Sequence, residues 1–189
     1  MLDQIRSDYF PAALTTHVTV NSVADSTFYE VTGQISSQIF TSFTSLGLYW
    51  PAKTEKRLSN ELAGQIPYEY FVFYNEKDEP VGFSSGCLRD AHTFFMEWSG
   101  ILPAYQRQGL YSGFLARLLA YLKALGVERV TSNLMGTNRP VLIAKLKAGF
   151  VVTGVTLDER FGMQVWLTRF LAEERQQGFV RAFSLDSFA

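Results

Sequence analysis

The sequence has little of what disulfides and metal sites need. Its 189 residues include one cysteine, Cys87, and two histidines, His17 and His92. One cysteine excludes an intrachain disulfide and a cysteine-rich zinc site, and neither histidine has neighbours that indicate a ligand set. We therefore expect no metal, and we interpret Cys87 as a structural residue in a protein of the reducing cytoplasm.

The sequence also lacks an excess of charge and a long apolar run. Seventeen Lys and Arg residues are balanced by eighteen Asp and Glu residues, so the formal net charge is −1. Such a balance gives no field that gathers nucleic acid or an anionic membrane. Asp3, Arg6 and Asp8 stand where a signal peptide needs apolar residues, and no stretch is long enough for a membrane span. We expect neither a nucleic-acid nor a membrane partner.

What is present is the composition of a globular domain, with 47% apolar and 19% charged residues. We expect one domain over residues 1–189, with a motif-bearing core at 70–170 and a tail at 171–189. Residue periodicity predicts strands at 17–21, 70–74, 81–88, 93–102, 129–135, 151–157 and 163–170. It predicts helices at 53–62, 110–125 and 138–148, whereas 26–43 mixes both propensities. This order implies an α/β fold with a partly parallel sheet.

The segment from Gln106 to Ser112 carries the clearest chemical signal. It lies between the strand that ends near Leu102 and the helix that begins at Leu110. The first amide N–H groups of a helix have no internal partner, and Gly109 lets the backbone approach a phosphate closely. Arg107 adds a mobile cation. The segment therefore predicts a diphosphate site, although one glycine between a strand and a helix is often only a turn.

In this region the sequence resembles the GNAT acetyltransferase family. The phosphate loop of that family reads Gln/Arg-x-x-Gly-x-Gly/Ala after an apolar-x-Pro step, and the matching residues are Ile101, Pro103, Gln106 and Gly109. A second family block, an Asn followed by Gly-Phe at the end of a helix, is matched by Asn138, Gly149 and Phe150. Together the matches cover residues 94–155.

The resemblance implies a mixed, mostly antiparallel twisted sheet flanked by helices, in which the strand 97–102 splays from the strand 129–135. It implies acetyl-CoA as cosubstrate and direct acetyl transfer to an amine of a small molecule or peptide. The implied cofactor-binding residues are Ile101, Gln106, Arg107, Gln108, Gly109, Leu110, Tyr111, Ser112, Asn133 and Asn138. A homodimer is also a possible assembly.

Two departures from the family concern the site. Tyr111 replaces the last Gly/Ala of the loop, and Lys145 replaces a Tyr that in the family commonly donates a proton to the leaving thiolate. Lys145 could supply that proton if its pKa fell, or it could be a solvated surface residue. Glu97 is the candidate base, because family members often carry a catalytic carboxylate on this strand and its neighbours are large and apolar. It could also simply face solvent.

Other readings stay open at this stage. The aromatic residues Phe40, Phe43, Tyr49 and Trp50 predict either an acceptor pocket or core packing. Gly100 either eases the opening of the strands or marks an ordinary bulge. As a whole, the chain could instead be a non-catalytic acyl-CoA-binding module, or an interaction domain whose tail from residue 170 pairs with a partner.

Overall fold

Helices and strands alternate along most of the chain. The computed structural model describes residues 2–41, 66–158 and 161–183. The helices in these ranges are Leu2–Tyr9 (α1), Asp25–Ile39 (α2), Leu110–Ala124 (α3), Arg139–Lys147 (α4) and Glu173–Phe183 (α5). The strands are Ala12–Ala13 (β1), Val18–Ser22 (β2), Tyr68–Asn75 (β3), Pro80–Leu88 (β4), Thr93–Ile101 (β5), Arg129–Met135 (β6), Val151–Asp158 (β7) and Gly162–Phe170 (β8). None of these helices combines the length and the apolar residues that a bilayer crossing requires.

The described strands form one sheet of order β1-β2-β3-β4-β5-β6-β8-β7. All neighbours are antiparallel except β5 and β6, which are parallel because α3 carries the chain back between them. Their pairing joins Thr93–Met96 to Arg129–Ser132 and ends there, although both strands continue. The sheet therefore opens between the second half of β5 and the end of β6.

The two faces of the sheet carry separate hydrophobic clusters. Phe71 and Phe73 of β3 pack with α1, α3 and α4 on one face, whereas Val72 packs with α2 on the other. This division follows from the alternation of side chains along a strand. Helix α3 is firmly anchored, because its inward residues recur at helical spacing and are buried: Leu110, Phe114, Leu118 and Leu122. The first turn of α3 is thereby fixed beside the opening of the sheet.

The structure confirms most of the predicted elements. The predicted strands and the helices at 110–125 and 138–148 agree with the structure to within two residues at each end. The ambiguous segment 26–43 contains α2, whose residues Phe28, Val31 and Ile35 are buried at helical spacing. Helices α1 and α5 and strand β1 were not predicted, and α5 occupies the tail. The predicted helix at 53–62 lies outside the described residues.

A β-bulge in β5 corrects one local prediction. Trp98 pairs with Ser85 and Met96 pairs with Gly86, so Glu97 is the extra residue. Gly100 pairs with Phe83 in regular register, and its interpretation as a bulge is therefore wrong. The bulge lies next to the last residue of β5 that pairs with β6, and bulges of this kind bend a strand and terminate pairing. The bulge thus accounts for the place where the sheet opens.

Candidate active site

A cavity of about 1610 Å³ fills the opening between β5 and β6. It is lined by β5 and the loop before α3 on one side, by β6 and α4 on the other, and by the end of α2. Pockets for small ligands commonly measure about 300–1,000 Å³. This cavity therefore has room for a large, extended ligand that runs along the parted strands.

The loop before α3 presents free backbone amides to this cavity. The first helical hydrogen bond runs from the Gly113 N–H to the Gly109 carbonyl at 2.9 Å, which leaves the amides of Leu110, Tyr111 and Ser112 without an acceptor inside the helix. Gly109 has a φ of +83°, a conformation that requires glycine, and the space where its Cβ would stand is open. The start of α3 therefore has the properties of an anion site.

Two glutamine side chains hold the loop in shape. Gln106 donates from Nε2 to the Ile101 carbonyl at 2.9 Å, and Gln108 donates from Nε2 to the Ala104 carbonyl at 2.8 Å. Gln108 is the one predicted cofactor-binding residue that does not line the cavity. The other nine do line it: Ile101, Gln106, Arg107, Gly109, Leu110, Tyr111, Ser112, Asn133 and Asn138.

Two of these residues have further structural features. Tyr111 lines the cavity and also packs against the hydrophobic cluster of α1, α3 and α4. Burial raises the pKa of the Tyr111 hydroxyl above its usual range. Asn138 precedes α4, but its side chain makes no capping hydrogen bond with that helix. Its side chain therefore does not serve the helix it precedes.

Lys145 is buried, and its interpretation as a solvated surface lysine is wrong. Its relative exposure is 3%, while Leu146 beside it is 44% exposed. The reason is the facing of α4, because Val141 and Ala148 stand four and three residues away and pack on the core. Burial lowers the pKa of Lys145 to about 7. The lysine is therefore a mixture of ammonium and neutral amine at neutral pH.

A short hydrogen-bonded chain fixes the Lys145 ammonium at the point where the sheet opens. Lys145 donates from Nζ to the Ser132 Oγ, and Ser132 donates to the Met96 carbonyl at 3.2 Å. Met96 and Ser132 are the last paired residues of β5 and β6. Met96, Ser132 and Lys145 all line the cavity, so the lysine stands at its vertex.

Glu97 lies on the opposite face of the sheet, and its exposure agrees with the alternative that it faces solvent. Its side chain is exposed, because the bulge turns it away from the buried Met96. Burial and the nearby Glu97 carboxylate raise the pKa of Tyr68 to about 12. Tyr68 shares the α2 face of β3 with Tyr70, which packs in the α2 cluster. Glu97 and Lys145 thus reach one cavity from the two faces.

The α2 side of the cavity is aromatic. The Phe40 and Trp98 rings stack with centroids 5.7 Å apart and an angle of 21° between their planes. Glycine is favoured at position 100, because a Cβ there would lie 2.8 Å from the Ile39 side chain of α2. Phe40 thus both packs and lines the cavity, whereas Phe43, Tyr49 and Trp50 lie outside the described residues.

The remaining candidates of the sequence lie away from this chemistry. Cys87 is buried, and burial raises the pKa of its thiol, as expected of a structural cysteine. His17 pairs with Glu76 at 2.8 Å, and His92 pairs with Glu128 at 3.0 Å. Neither histidine lines the cavity.

Sequence reasoning missed Ser132 and Tyr68. Ser132 is a polar residue between Val130 and Leu134 on the buried face of β6. A hydroxyl in an apolar alternation was the signal, because a buried polar group needs a partner. Tyr68 gave no comparable signal, since its neighbour Glu97 is brought to it by the bulge.

Comparison with protein families gives a match over much of the chain. The model of the acetyltransferase (GNAT) family matches residues 37–150, which include β3 to β6, α3 and α4. The match contains the loop before α3, the opening of the sheet and Lys145. No curated protein matches the chain in sequence.

Solved structures share the fold at low sequence identity. The ribosomal-protein-S18-alanine N-acetyltransferase of Escherichia coli has a TM-score of 0.62 at 14% identity, covering 82% of this chain and 94% of its own. A spermidine N-acetyltransferase of Vibrio cholerae, in complex with CoA and spermine, has a TM-score of 0.61 at 12% identity, and the match covers 83% of this chain and 97% of that protein. The yncA protein of Salmonella typhimurium, with its cofactor acetyl-CoA, has a TM-score of 0.59 at 17% identity, and the match covers 82% of this chain and 95% of that protein.

The depressed pKa of Lys145 predicts a pH-dependent stability. The folded pKa is about 7, below the value of about 10.4 expected in the unfolded chain. Between these values the unfolded chain binds a proton that the folded chain does not, so this group makes the unfolding free energy rise with pH. Denaturant unfolding measures this effect. Between pH 7 and pH 10, the free energy of unfolding of wild type should rise by a few kcal/mol relative to that of Lys145→Met, at about 1.4 kcal/mol per pKa unit.

Lys147 provides the matched control for this measurement. It lies on the same helix, two residues on, and its side chain is exposed. The difference between wild type and Lys147→Met should stay flat over the same pH range. An equally flat difference for Lys145→Met would contradict the depressed pKa.

Proposed function

The chain belongs to the acetyltransferase (GNAT) family, and we propose that it transfers an acetyl group from acetyl-CoA directly to an amine in the opening between β5 and β6. Membership makes it an acyltransferase with acetyl-CoA as cosubstrate. The assignment of roles to individual residues is our proposal. It rests on one observation: the free amides of α3, Glu97 and Lys145 meet in a single cavity.

The described residues fit a nucleotide thioester. The amides of Leu110, Tyr111 and Ser112, with the exposed Arg107 beside them, would hold the paired phosphates of CoA. A hydrogen bond to a charged group contributes about 1.5–3 kcal/mol, so three amides outweigh the ~1 kcal/mol of the helix dipole. Asn133 and Asn138 line the cavity further along and would meet the pantetheine arm. The size of the cavity supports so long a ligand.

Two residues divide the proton transfers. Bound acetyl-CoA supplies an acyl group that is already activated as a thioester. Glu97 accepts a proton from the acceptor ammonium at a carboxylate oxygen, directly or through water, because an amine must be neutral to react. Lys145 holds its proton on Nζ and would donate it, on the other face, to the CoA thiolate that leaves when the carbon–sulfur bond breaks. A pKa of about 7 suits a proton donor at neutral pH.

The amine acceptor enters from the α2 side of the cavity. Exposed Glu97 and the stacked rings of Phe40 and Trp98 lie there, which favours an amine with an apolar or aromatic part near it. The acceptors named for similar structures, spermidine and a ribosomal protein with an alanine, are the starting points for a screen. A homodimer and a cytoplasmic location stay predictions.

Replacing Gly109 tests the phosphate site. Gly109→Ala places a side chain where φ is +83° and turns the amides that follow. We expect CoA binding, measured by isothermal titration calorimetry, to weaken by about tenfold or more, the equivalent of one lost charged hydrogen bond. Gly126→Ala is the matched control, since Gly126 has a φ of +84° at the far end of α3. Both variants should lose similar stability, and only the first should lose affinity.

Equal affinity of the two glycine variants for CoA would contradict the phosphate site. Loss of affinity in both would show that the effect arises from backbone strain alone. Either result would remove the observation on which the proposed function rests.

Replacing Lys145 tests the proton donor. We expect Lys145→Met to bind CoA normally and to lower kcat by about 10²–10⁴, the usual contribution of a general acid. A donor works only while protonated, so wild-type kcat should fall as pH rises through about 7. Lys145→Tyr restores the residue type of the family and should move this fall to about pH 10. Release of CoA thiol with a panel of amines, amino acids and peptides is the measurement.

Lys147→Met should leave both kcat and its pH profile unchanged. An unchanged alkaline limb in Lys145→Tyr would contradict the donor role while leaving acetyl transfer intact. Binding of CoA without turnover on any acceptor, with no effect of Glu97→Gln, would instead indicate a non-catalytic acyl-CoA-binding module.

A further inference from the structure

Lys145 is a buried lysine whose surroundings favour the neutral amine. Its Nζ donates a hydrogen bond to the Ser132 Oγ, and burial lowers its pKa. The aromatic ring of Phe150 lies 5.9 Å away and carries no formal charge. Within the described part of the chain no carboxylate forms an ion pair with it, so no salt bridge stabilises its ammonium form.

The neutral amine is a nucleophile, and it stands where the proposed thioester would react. Nζ lies at the vertex of the cavity, where pairing of β5 and β6 ends, and the cavity runs from there to the free amides of α3. At a pKa of about 7, about half of Lys145 is neutral at pH 7. An ordinary exposed lysine is neutral less than about 0.1% of the time. The reactive fraction is larger by about 10³.

We propose that Lys145 is itself an acylation site, which takes the acyl group of bound acetyl-CoA when no acceptor amine occupies the cavity. This inference rests on the proposed function. A bond forms between Nζ and the acyl carbon, the carbon–sulfur bond breaks, and a proton lost from Nζ goes to the thiolate to give free CoA thiol. No further reactant is needed. The product is an N-acetylated Lys145.

Such a modification would limit the enzyme. An acetylated Nζ is an amide and carries no ammonium proton, so a modified molecule lacks the proposed donor. An acceptor amine consumes the same acyl group and therefore protects Lys145. Incubation with acetyl-CoA alone would therefore inactivate the enzyme gradually, whereas an acceptor amine that is being acetylated would preserve its activity.

The test is mass spectrometry of the whole protein after incubation with acetyl-CoA at pH 7. Without acceptor we expect one added acetyl group, and peptide mapping should place it on Lys145 at an occupancy at least about tenfold above that of Lys147. Lys147 is an internal control because it is exposed on the same helix to the same reagent. Excess free CoA, an active acceptor amine, or unfolding in urea should each remove the preference for Lys145.

Acetyl groups spread over the exposed lysines, with Lys145 unmodified in folded protein that retains CoA, would overturn this inference alone. Native mass spectrometry of the complex and CoA release with an acceptor report separately on the proposed function. A protein that neither binds CoA nor modifies Lys145 would overturn both. Lys145→Arg should abolish the modification without shifting it to Lys147.

Discussion

The hydrogen bonding between β5 and β6 stops at Met96 and Ser132, and the geometry of the site follows from that stop. The bulge at Glu97 bends β5 away just past this point, and α3, anchored by its buried face, holds its first turn beside the gap. A sheet that parts exposes backbone and side chains from both strands. Here it creates a cavity whose wide end holds free amides and whose vertex holds a buried lysine.

Glu97 and Lys145 differ in environment because they lie on the two faces of this sheet. Glu97 is on the α2 face, and its side chain is exposed to solvent. Lys145 is on the α4 face, where burial penalises the ammonium form and the Ser132 hydroxyl accepts its hydrogen bond. Transferring a charge out of water is unfavourable. A lysine buried at the wall of a cavity therefore loses its proton more readily than an exposed lysine does.

The sequence predicts the second half of the fold well, because glycines and strong periodicity mark its boundaries. Gly109 and Gly149 stand where positive φ is required, and the apolar spacing from Leu110 fixes the face of α3. The sequence of α2 was ambiguous because it contains many β-branched and polar residues. Its buried residues stabilise a helix only by packing against the sheet. The position of the loop at the cavity could be predicted, since the first backbone amides of a helix are free whatever the side chains are.

The environments of Glu97 and Lys145 could not be predicted because they depend on contacts distant in sequence. The bulge that exposes Glu97 leaves no mark in the sequence of β5. The burial of Lys145 depends on Ser132, thirteen residues away on a neighbouring strand. The apolar Val141 and Ala148, four residues before and three residues after Lys145, indicated that it faces the core. Lysine is typical of exposed positions, however, and that favoured a surface location.

The decisive measurement is the distance between Lys145 Nζ and the CoA sulfur in a crystal structure with bound CoA. We expect phosphates on the amides of residues 110–112 and a sulfur within about 3–3.5 Å of Nζ, the separation of reacting atoms. A sulfur that lies beyond Ser132 with protein side chains between it and Nζ would contradict the account. So would phosphates bound away from the start of α3.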